Sequence, residues 1–359
     1  MVNGEWSVVA PSLFRPIALS LHRSFAPSLF RPIAPSPHRQ KTKYMNKNSI
    51  KVLVFTGLFL PLAFLAHAQR GFHNDKKLTL KLEQAIKGFR GEVGVYARNL
   101  KTGKEAAINA DTVFPTASTI KVPIMVALFD RIDKGELSYH QPLLYRDSMA
   151  YGGSGIMQYF KDSTTVDLSV AASLMITRSD NTAALWCQSL AGGGIVINQW
   201  LAAHGFQKTR MNSRTPGRQK IWEIYGWGQT TPREMSELVT GIFKNKFLSA
   251  AACERMYRNM TNIYWDNNAL SQIPPFVQTA SKSGAVNDAR SEVVLVNSPN
   301  PKGSYVFAIY TNHNEDQSWS SQNEADQLIR KISSLLWHYY NPHSQWQPPK
   351  GIEIFWGDE

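Results

Sequence analysis

The sequence predicts an α+β protein of two lobes, on three observations. Strand and helix patterns cluster toward both ends of the folded part of the chain, the stretch between them reads mostly as helices and loops, and the composition is that of an ordinary globular protein. The 359 residues are 43% hydrophobic and 18% charged, enough to build one large domain or two lobes and unlike either a disordered chain or a membrane bundle.

Taken in order, "LTLKLEQAIKGF" (78–89) spaces Leu80, Leu82, Ile86 and Phe89 as a helix, and "GEVGVYARNL", the turn "KTGK" and "EAAINAD" follow as a β-hairpin. Near the other end, "SEVVLVNSP", the turn "NPKG" and "SYVFAIYTN" make a second hairpin. "ADQLIRKISSLLWHYY" then closes the pattern as a helix with Leu328, Ile332, Leu335 and Leu336 on one face. Chain ends of this kind around a helical insert imply an α/β lobe from about 77–117 and 278–341, an all-α lobe from about 118–277, and a tail over 342–359. A cleft between two lobes is where a site is expected.

The N-terminus has two layers. "APSLFRPIALSLHR" (10–23) recurs as "APSLFRPIAPSPHR" (26–39), identical at twelve of fourteen positions. Two Pro-rich copies are too few to stack into a solenoid, so residues 1–44 read as upstream sequence with Met45 as the functional start. From Met45 the pattern is a signal peptide: Lys47 and Lys51, the apolar "VLVFTGLFLPLAFL", then "AHA" at 66–68 before Gln69. Fourteen apolar residues containing Pro61 are short for a bilayer span, which favours export with cleavage near Ala68 over a retained anchor. The expected location is periplasmic or secreted, with membrane contact only through the uncleaved signal peptide.

The net charge of +12 is concentrated in that N-terminal stretch. Residues 1–68 hold eight Lys/Arg and one acid, which leaves 31 basic against 26 acidic residues beyond it. No basic run with interleaved aromatics stands out there, so nucleic acid is not expected as a partner. Cys187 and Cys253 are the only cysteines; in an oxidising compartment they could pair, but spacing cannot say whether they meet. The nine histidines lack ligand spacing, and neither a metal nor another cofactor is expected.

"PTASTIKVPIM" (115–125) sets Ser118 and Lys121 one helical turn apart. A Ser-x-x-Lys pattern alone arises about once by chance in a chain of this size, and a helix cap is the plain alternative. Its context says more. "STIKVPIMVALFDRI" is apolar nearly all round, as in a helix at a domain centre, and such burial takes Lys121 inside. A buried amine one turn from a hydroxyl has its pKa depressed toward that of a base.

Two further triplets follow in order: Ser179-Asp180-Asn181 at the start of a helical stretch, and Lys282-Ser283-Gly284 just before the second hairpin. With these, and with "GGSGIMQYF", "LMITRSDNTAA" and "TTPREM" around them, the sequence resembles the class A β-lactamases and the wider penicillin-recognising serine hydrolases over residues 77–340. The resemblance implies a β-lactamase/transpeptidase-like fold, an antiparallel sheet flanked by N- and C-terminal helices plus an all-α lobe. It implies Ser118 as nucleophile, Lys121 as its base and Ser179 as proton relay to the departing nitrogen. Asn181, Lys282, Ser283, Gly284 and Ala285 would bind substrate, the backbone N–H groups of Ser118 and Ala285 would form the oxyanion hole, and Asp180 would brace the inter-lobe loop. Arg290 is either a further cation for the substrate carboxylate or a solvated edge charge.

One departure matters. Class A enzymes carry a water-activating Glu in the loop before Thr-Thr-Pro, whereas "RMNSRTPGRQKIWEIYGWGQTTP" places Thr215 near that position, and its one acid is Glu223. Glu223 is a displaced base or the ion-pair partner of Lys220 or Arg218. Three functions are thus in view for what is expected to be a monomer. The first is a β-lactamase, the second a D-alanyl-D-alanine peptidase or related cell-wall hydrolase, and the third a sensor that is acylated once by a β-lactam or muropeptide.

Overall fold

The computed structural model describes residues 74–352. The repeat, the Met45 start and the signal peptide lie outside the described residues.

The first helix, α1 (Lys76–Ile86), begins where the side chain of Asp75 accepts a hydrogen bond from the N–H of Leu78 at 3.1 Å, a side-chain N-cap. Its buried face is Leu78, Leu82 and Ala85, an i, i+4, i+7 row. Leu80 is 66% exposed, so the helix is rotated from the face read in the sequence, with Leu78 inside in its place. Strands β1 (Glu92–Asn99) and β2 (Glu105–Ile108) follow as an antiparallel hairpin. Its turn is shaped by the Asn99 side chain, which accepts from the N–H groups of Lys101 and Thr102, and by Gly103 at φ +74°.

After the short strand β3 (Phe114–Pro115) and a single 3₁₀ turn (Ala117–Ile120), helix α2 (Lys121–Asp133) runs through the centre of the molecule. Every residue from Lys121 to Phe129 is buried, as expected of a helix apolar on all sides. Strands β4 (Pro142–Leu144) and β5 (Thr165–Asp167) form a small ribbon. Helices α3 (Leu168–Thr177), α4 (Asn181–Leu190) and α5 (Gly193–Ala203) pack round α2. The next stretch carries β6 (Arg210–Met211), α6 (Gln219–Tyr225) and β7 (Gly228–Thr230), with β7 lying between β3 and β6. Helix α7 (Pro232–Phe243) starts at Thr231, whose side chain accepts from the Glu234 N–H, with Pro232 in the first turn where its missing N–H costs nothing. Helix α8 (Ala250–Thr261) completes the helical region.

Strands β8 (Gln278–Val286), β9 (Ala289–Asn297) and β10 (Tyr305–Asn312) and helix α9 (Glu324–Tyr340) end the fold. The main sheet has the order β2-β1-β10-β9-β8, with every neighbouring pair antiparallel. Its two faces are legible along β9. Val293 and Leu295 join the core shared with α2, α3 and α7, whereas Val294 and Val296 join the core under α1 and α9, the two-residue alternation of a strand covered on both sides. The expected α+β fold of an antiparallel sheet flanked by terminal helices, with a helical lobe beside it, is the fold observed. Cys187 and Cys253 are both buried and free.

Candidate active site

Ser118 sits on the 3₁₀ turn between β3 and α2, and Lys121 is the first residue of α2. Ala117 holds φ +44° and Ser179 φ +55°, a left-handed conformation that costs a non-glycine residue roughly 1–3 kcal/mol and collects at functional sites. At Ser179 the twist has a visible result: its carbonyl oxygen meets the Lys121 Nζ at 2.5 Å and its Oγ lies 3.0 Å from the same nitrogen. Lys121 Nζ also lies 2.9 Å from Ser118 Oγ and 2.8 Å from Asn181 Oδ1.

Burial holds the Lys121 pKa well below the usual lysine range, the nearby charge of Lys282 lowers it further, and Asp180 opposes both. A neutral amine has two N–H donors and one lone pair. The Ser179 carbonyl and Asn181 Oδ1 accept from the two N–H groups, which leaves the lone pair for a serine hydroxyl. An amine so placed can take the proton of Ser118.

Asp180 is structural. One carboxylate oxygen accepts from the Ala183 N–H at 2.9 Å as the N-cap of α4; the other accepts from Ile156 and Met157 N–H at 2.7 and 2.8 Å. Gly155 at φ +109° is required beside it, because a Cβ there would fall 2.3 Å from that carboxylate. Asn181 is fixed from the same loop, its Nδ2 donating to the Gly152 carbonyl at 3.0 Å.

Strand β8 brings Lys282, Ser283, Gly284 and Ala285 along the sheet edge beside this turn. A Cβ on Gly284 would come within 2.7 Å of the Thr116 carbonyl and 2.8 Å of the Ser118 backbone nitrogen, so only glycine admits the strand this close. Ser291, opposite Gly284 on β9, reaches the same Thr116 carbonyl with its Oγ at 3.0 Å. Lys282 is buried and donates to the Ser283 carbonyl at 2.8 Å. Burial lowers its pKa to about 7, with the charge of Glu292 pulling the other way. Glu292 is buried as well, and the same desolvation raises its carboxyl to about 7, against hydrogen bonds from the Ala269 N–H and Ser281 Oγ.

Arg290 must be corrected on both counts. Its side chain is 2% exposed, so it is no solvated edge charge, and its guanidinium is committed away from the cleft. It donates to the carbonyls of Val286, Asn287, Ala289 and Ser318, lies 3.7 Å from the Asp326 carboxylate and stacks over Trp319. Arg290 clamps its own hairpin turn.

The loop before β7 has no carboxylate at Thr215. That residue is buried, its Oγ1 donates to the Ser213 carbonyl at 3.1 Å, and a Cβ on Gly194 of α5 would fall 1.7 Å from the same Oγ1. Glu223 is exposed on α6 and is not among the groups on Lys121 Nζ. Arg218 is engaged with Asn212 Oδ1 and Gln229 Oε1 instead.

Sequence reasoning missed Trp227. Lys121 Nζ lies over its indole, 5.8 Å from the ring centroid, and the indole meets Tyr151 edge-on at 5.4 Å between centroids. The only available signal was an aromatic between glycines in "GWG" just ahead of Thr-Thr-Pro. Among the described residues there is no cluster of three or more His, Cys, Asp or Glu able to hold a metal ion.

A hydroxyl, a desolvated amine and a second serine converging at one helix start are the equipment of a nucleophilic-serine hydrolase. The chain belongs to the beta-lactamase enzyme family, whose model matches residues 77–340. It is 27% identical over 300 residues to beta-lactamase VEB-1 of Pseudomonas aeruginosa, covering 80% of this chain and 97% of that protein. Among solved structures it is similar to PBP-A, at 26% identity and a TM-score of 0.67 over 76% of this chain and 98% of that one. A mutant of PBP-A, caught as its acyl-enzyme with penicillin G, matches with the same identity and TM-score over 75% and 98%. The fold is also that of a beta-lactamase from Sphaerobacter thermophilus DSM 20745, with a TM-score of 0.67 at 22% identity over 75% of this chain and 99% of that one.

Proposed function

We propose that the protein is an exported serine hydrolase that is acylated at Ser118 by β-lactams and hydrolyses the β-lactam ring, acting as a monomer without a cofactor. The observation that carries this reading is the 2.9 Å contact between Ser118 Oγ and the buried Lys121 amine. In the first step Lys121 takes the hydroxyl proton, the Ser118 Oγ–carbonyl bond forms, and the oxyanion is received by the N–H groups of Ser118 and Ala285. The lactam C–N bond then breaks, and Ser179, 3.0 Å from Lys121 Nζ, passes the proton to the departing nitrogen. Lys282 and Ser283 take the substrate carboxylate and Asn181 the side-chain amide. Water finally adds to the ester carbonyl and the Ser118 C–O bond breaks, releasing the ring-opened acid.

A second reading, a D-alanyl-D-alanine peptidase of the cell wall, is favoured by one observation: the loop offers Thr215 and an exposed Glu223 where a water-activating carboxylate would stand. A chromogenic cephalosporin assay run beside a D-Ala-D-Ala peptide assay decides between them. Turnover of the cephalosporin with no cleavage of the peptide is the expected result, and the reverse would establish the peptidase. Export is tested by N-terminal sequencing of protein from the envelope of an expressing bacterium, which should begin at or near Gln69.

A further inference from the structure

The amine that would have to activate water is already surrounded. Lys121 Nζ has Ser118 Oγ, Ser179 O, Ser179 Oγ and Asn181 Oδ1 within 2.5–3.0 Å, four contacts over the three directions left to a tetrahedral nitrogen. What faces it otherwise is the indole of Trp227 at 5.8 Å. A water between them, hydrogen-bonded to the amine at about 2.9 Å and touching the ring at about 3.5 Å, would need about 6.4 Å, more than the 5.8 Å that separates amine and ring centroid.

The indole is held from two sides. The Trp227 carbonyl accepts from the N–H groups of Asn212 and Ser213 at 2.8 and 3.0 Å, which fixes the neck of the loop. Tyr151 packs edge-on against the ring, and its own backbone is pinned to α4 through Thr182 Oγ1 at 3.0 and 3.2 Å. The pair therefore spans from the loop beside Asn181 to the loop that carries Thr215.

We propose that Trp227 sets the lifetime of the acyl-enzyme, its indole closing the Lys121 side of the pocket to hydrolytic water, with Tyr151 holding the ring in place. The inference rests on the acylation of Ser118 proposed above. Hydrolysis requires a water whose oxygen bonds to the ester carbonyl while its proton leaves to a base and the Ser118 oxygen is released. With the indole in place, a water on Lys121 has no room; without it, the vacated volume admits several waters at about 30 Å³ each. Trp227 is a positioning residue, and it acts on release rather than on acylation.

The test separates those two steps. Wild type, Trp227→Ala, Trp227→Phe and Tyr151→Ala are acylated with a fluorescent penicillin and freed of excess reagent, and the adduct is followed by intact mass. In Trp227→Ala the acylation rate should stay within about threefold of wild type. Decay of its adduct should be about ten- to a hundredfold faster, the lower part of what a placed water and base contribute. Trp227→Phe, which keeps a ring, should decay nearly as slowly as wild type, and Tyr151→Ala should lie between. An unchanged adduct lifetime in Trp227→Ala overturns the proposal. Should that variant fail to fold, an unchanged lifetime in Tyr151→Ala overturns it equally. Absence of any adduct on a wild-type protein that also leaves the penicillin unconsumed refutes acylation itself, and the role of Trp227 falls with it. Absence of an adduct with rapid penicillin consumption means instead that release is already fast, and overturns the proposal while leaving acylation standing.

Discussion

Lys121 Nζ stands 2.9 Å from Ser118 Oγ and 2.5 Å from the carbonyl oxygen of Ser179, so the strained backbone at Ser179 orients the amine that faces Ser118. Removing the hydroxyl should stop the chemistry and little else. Ser118→Ala is expected to lose covalent labelling by a fluorescent penicillin while its stability changes by no more than about 1–2 kcal/mol, the range of one hydrogen bond. Labelling that persists in the mutant, read by gel and intact mass, would remove Ser118 as nucleophile.

Lys121 carries the proton in this scheme. Lys121→Ala should slow acylation about 10²–10⁴-fold, the usual contribution of a general base, and leave substrate affinity much less affected. Lys121→Arg should not rescue it, because a guanidinium stays protonated at any working pH. Stopped-flow acylation rates for the two variants check this, and recovery in the Arg variant would show that the residue acts through charge alone.

How much of this was legible follows from what kind of signal each residue leaves. Ser118, Lys121, Ser179, Asn181 and Lys282 are residue types required at set spacings, and the structure gathers them because α2 and α4 begin and β8 runs at one place. The strands of the β9–β10 hairpin were readable as short, nearly continuous apolar runs on either side of a turn, and both are buried almost throughout. Leu80 was misplaced because α1 carries a leucine at 78, 80 and 82, and spacing alone does not choose between two overlapping faces. Arg290 was misread because a strand buried on both faces does not mark in its sequence which alternate set of residues turns to the cleft. In the structure Ser291, Val293 and Leu295 do, and Arg290 lies on the opposite face with its guanidinium folded back on the hairpin carbonyls and near Asp326 of α9. Trp227 belongs to a loop, where no period exists to mark it. Glu292, inside the apolar "SEVVLVN", is buried by a covering from α9 and the 268–272 stretch that comes from elsewhere in the chain.

Gly284 offers a steric test of the proposed oxyanion hole. Any side chain there would press on the Thr116 carbonyl and the Ser118 nitrogen at 2.7 and 2.8 Å, both backbone atoms. Gly284→Ala should therefore shift β8 away from Ser118 and reduce acylation by about 10²-fold or more, the scale of a lost oxyanion donor. A variant that acylates at the wild-type rate would mean that the N–H groups of Ser118 and Ala285 are not the oxyanion donors.

Glu292 and Lys282 titrate with opposite signs. The folded-state pKa of Glu292, about 7, is raised above its ordinary value of 4.5. Its contribution to stability is complete below pH 4.5 and is lost as pH rises through 7. Lys282, lowered from 10.5 to about 7, contributes above pH 10.5 and loses that contribution as pH falls through 7. Glu292→Gln should flatten the decline in melting temperature between pH 4.5 and 7. It should also lower the Lys282 pKa further, so that KM for a carboxylate-bearing substrate begins to rise at a lower pH than in wild type. An unaltered melting profile would place the titration elsewhere.

The shape of a progress curve follows from the loop. With Thr215 packed against Gly194, Glu223 exposed on α6 and Trp227 over the amine, water has no well-placed base. A missing general base is worth about 10²–10⁴ in rate. A β-lactam reporter should therefore give a burst of about one equivalent, the signature of an accumulating acyl-enzyme, followed by a slow steady phase. Glu223→Gln should leave both phases unchanged, because the carboxylate makes no contact with Ser118 or Lys121. Thr215→Glu should lower the melting temperature rather than quicken the second phase, since a longer acid cannot be seated where the Thr215 Oγ1 already fills the space beside Gly194. Rapid linear turnover without a burst, indifferent to Glu223→Gln, would show that another group activates the water and would overturn this account of release.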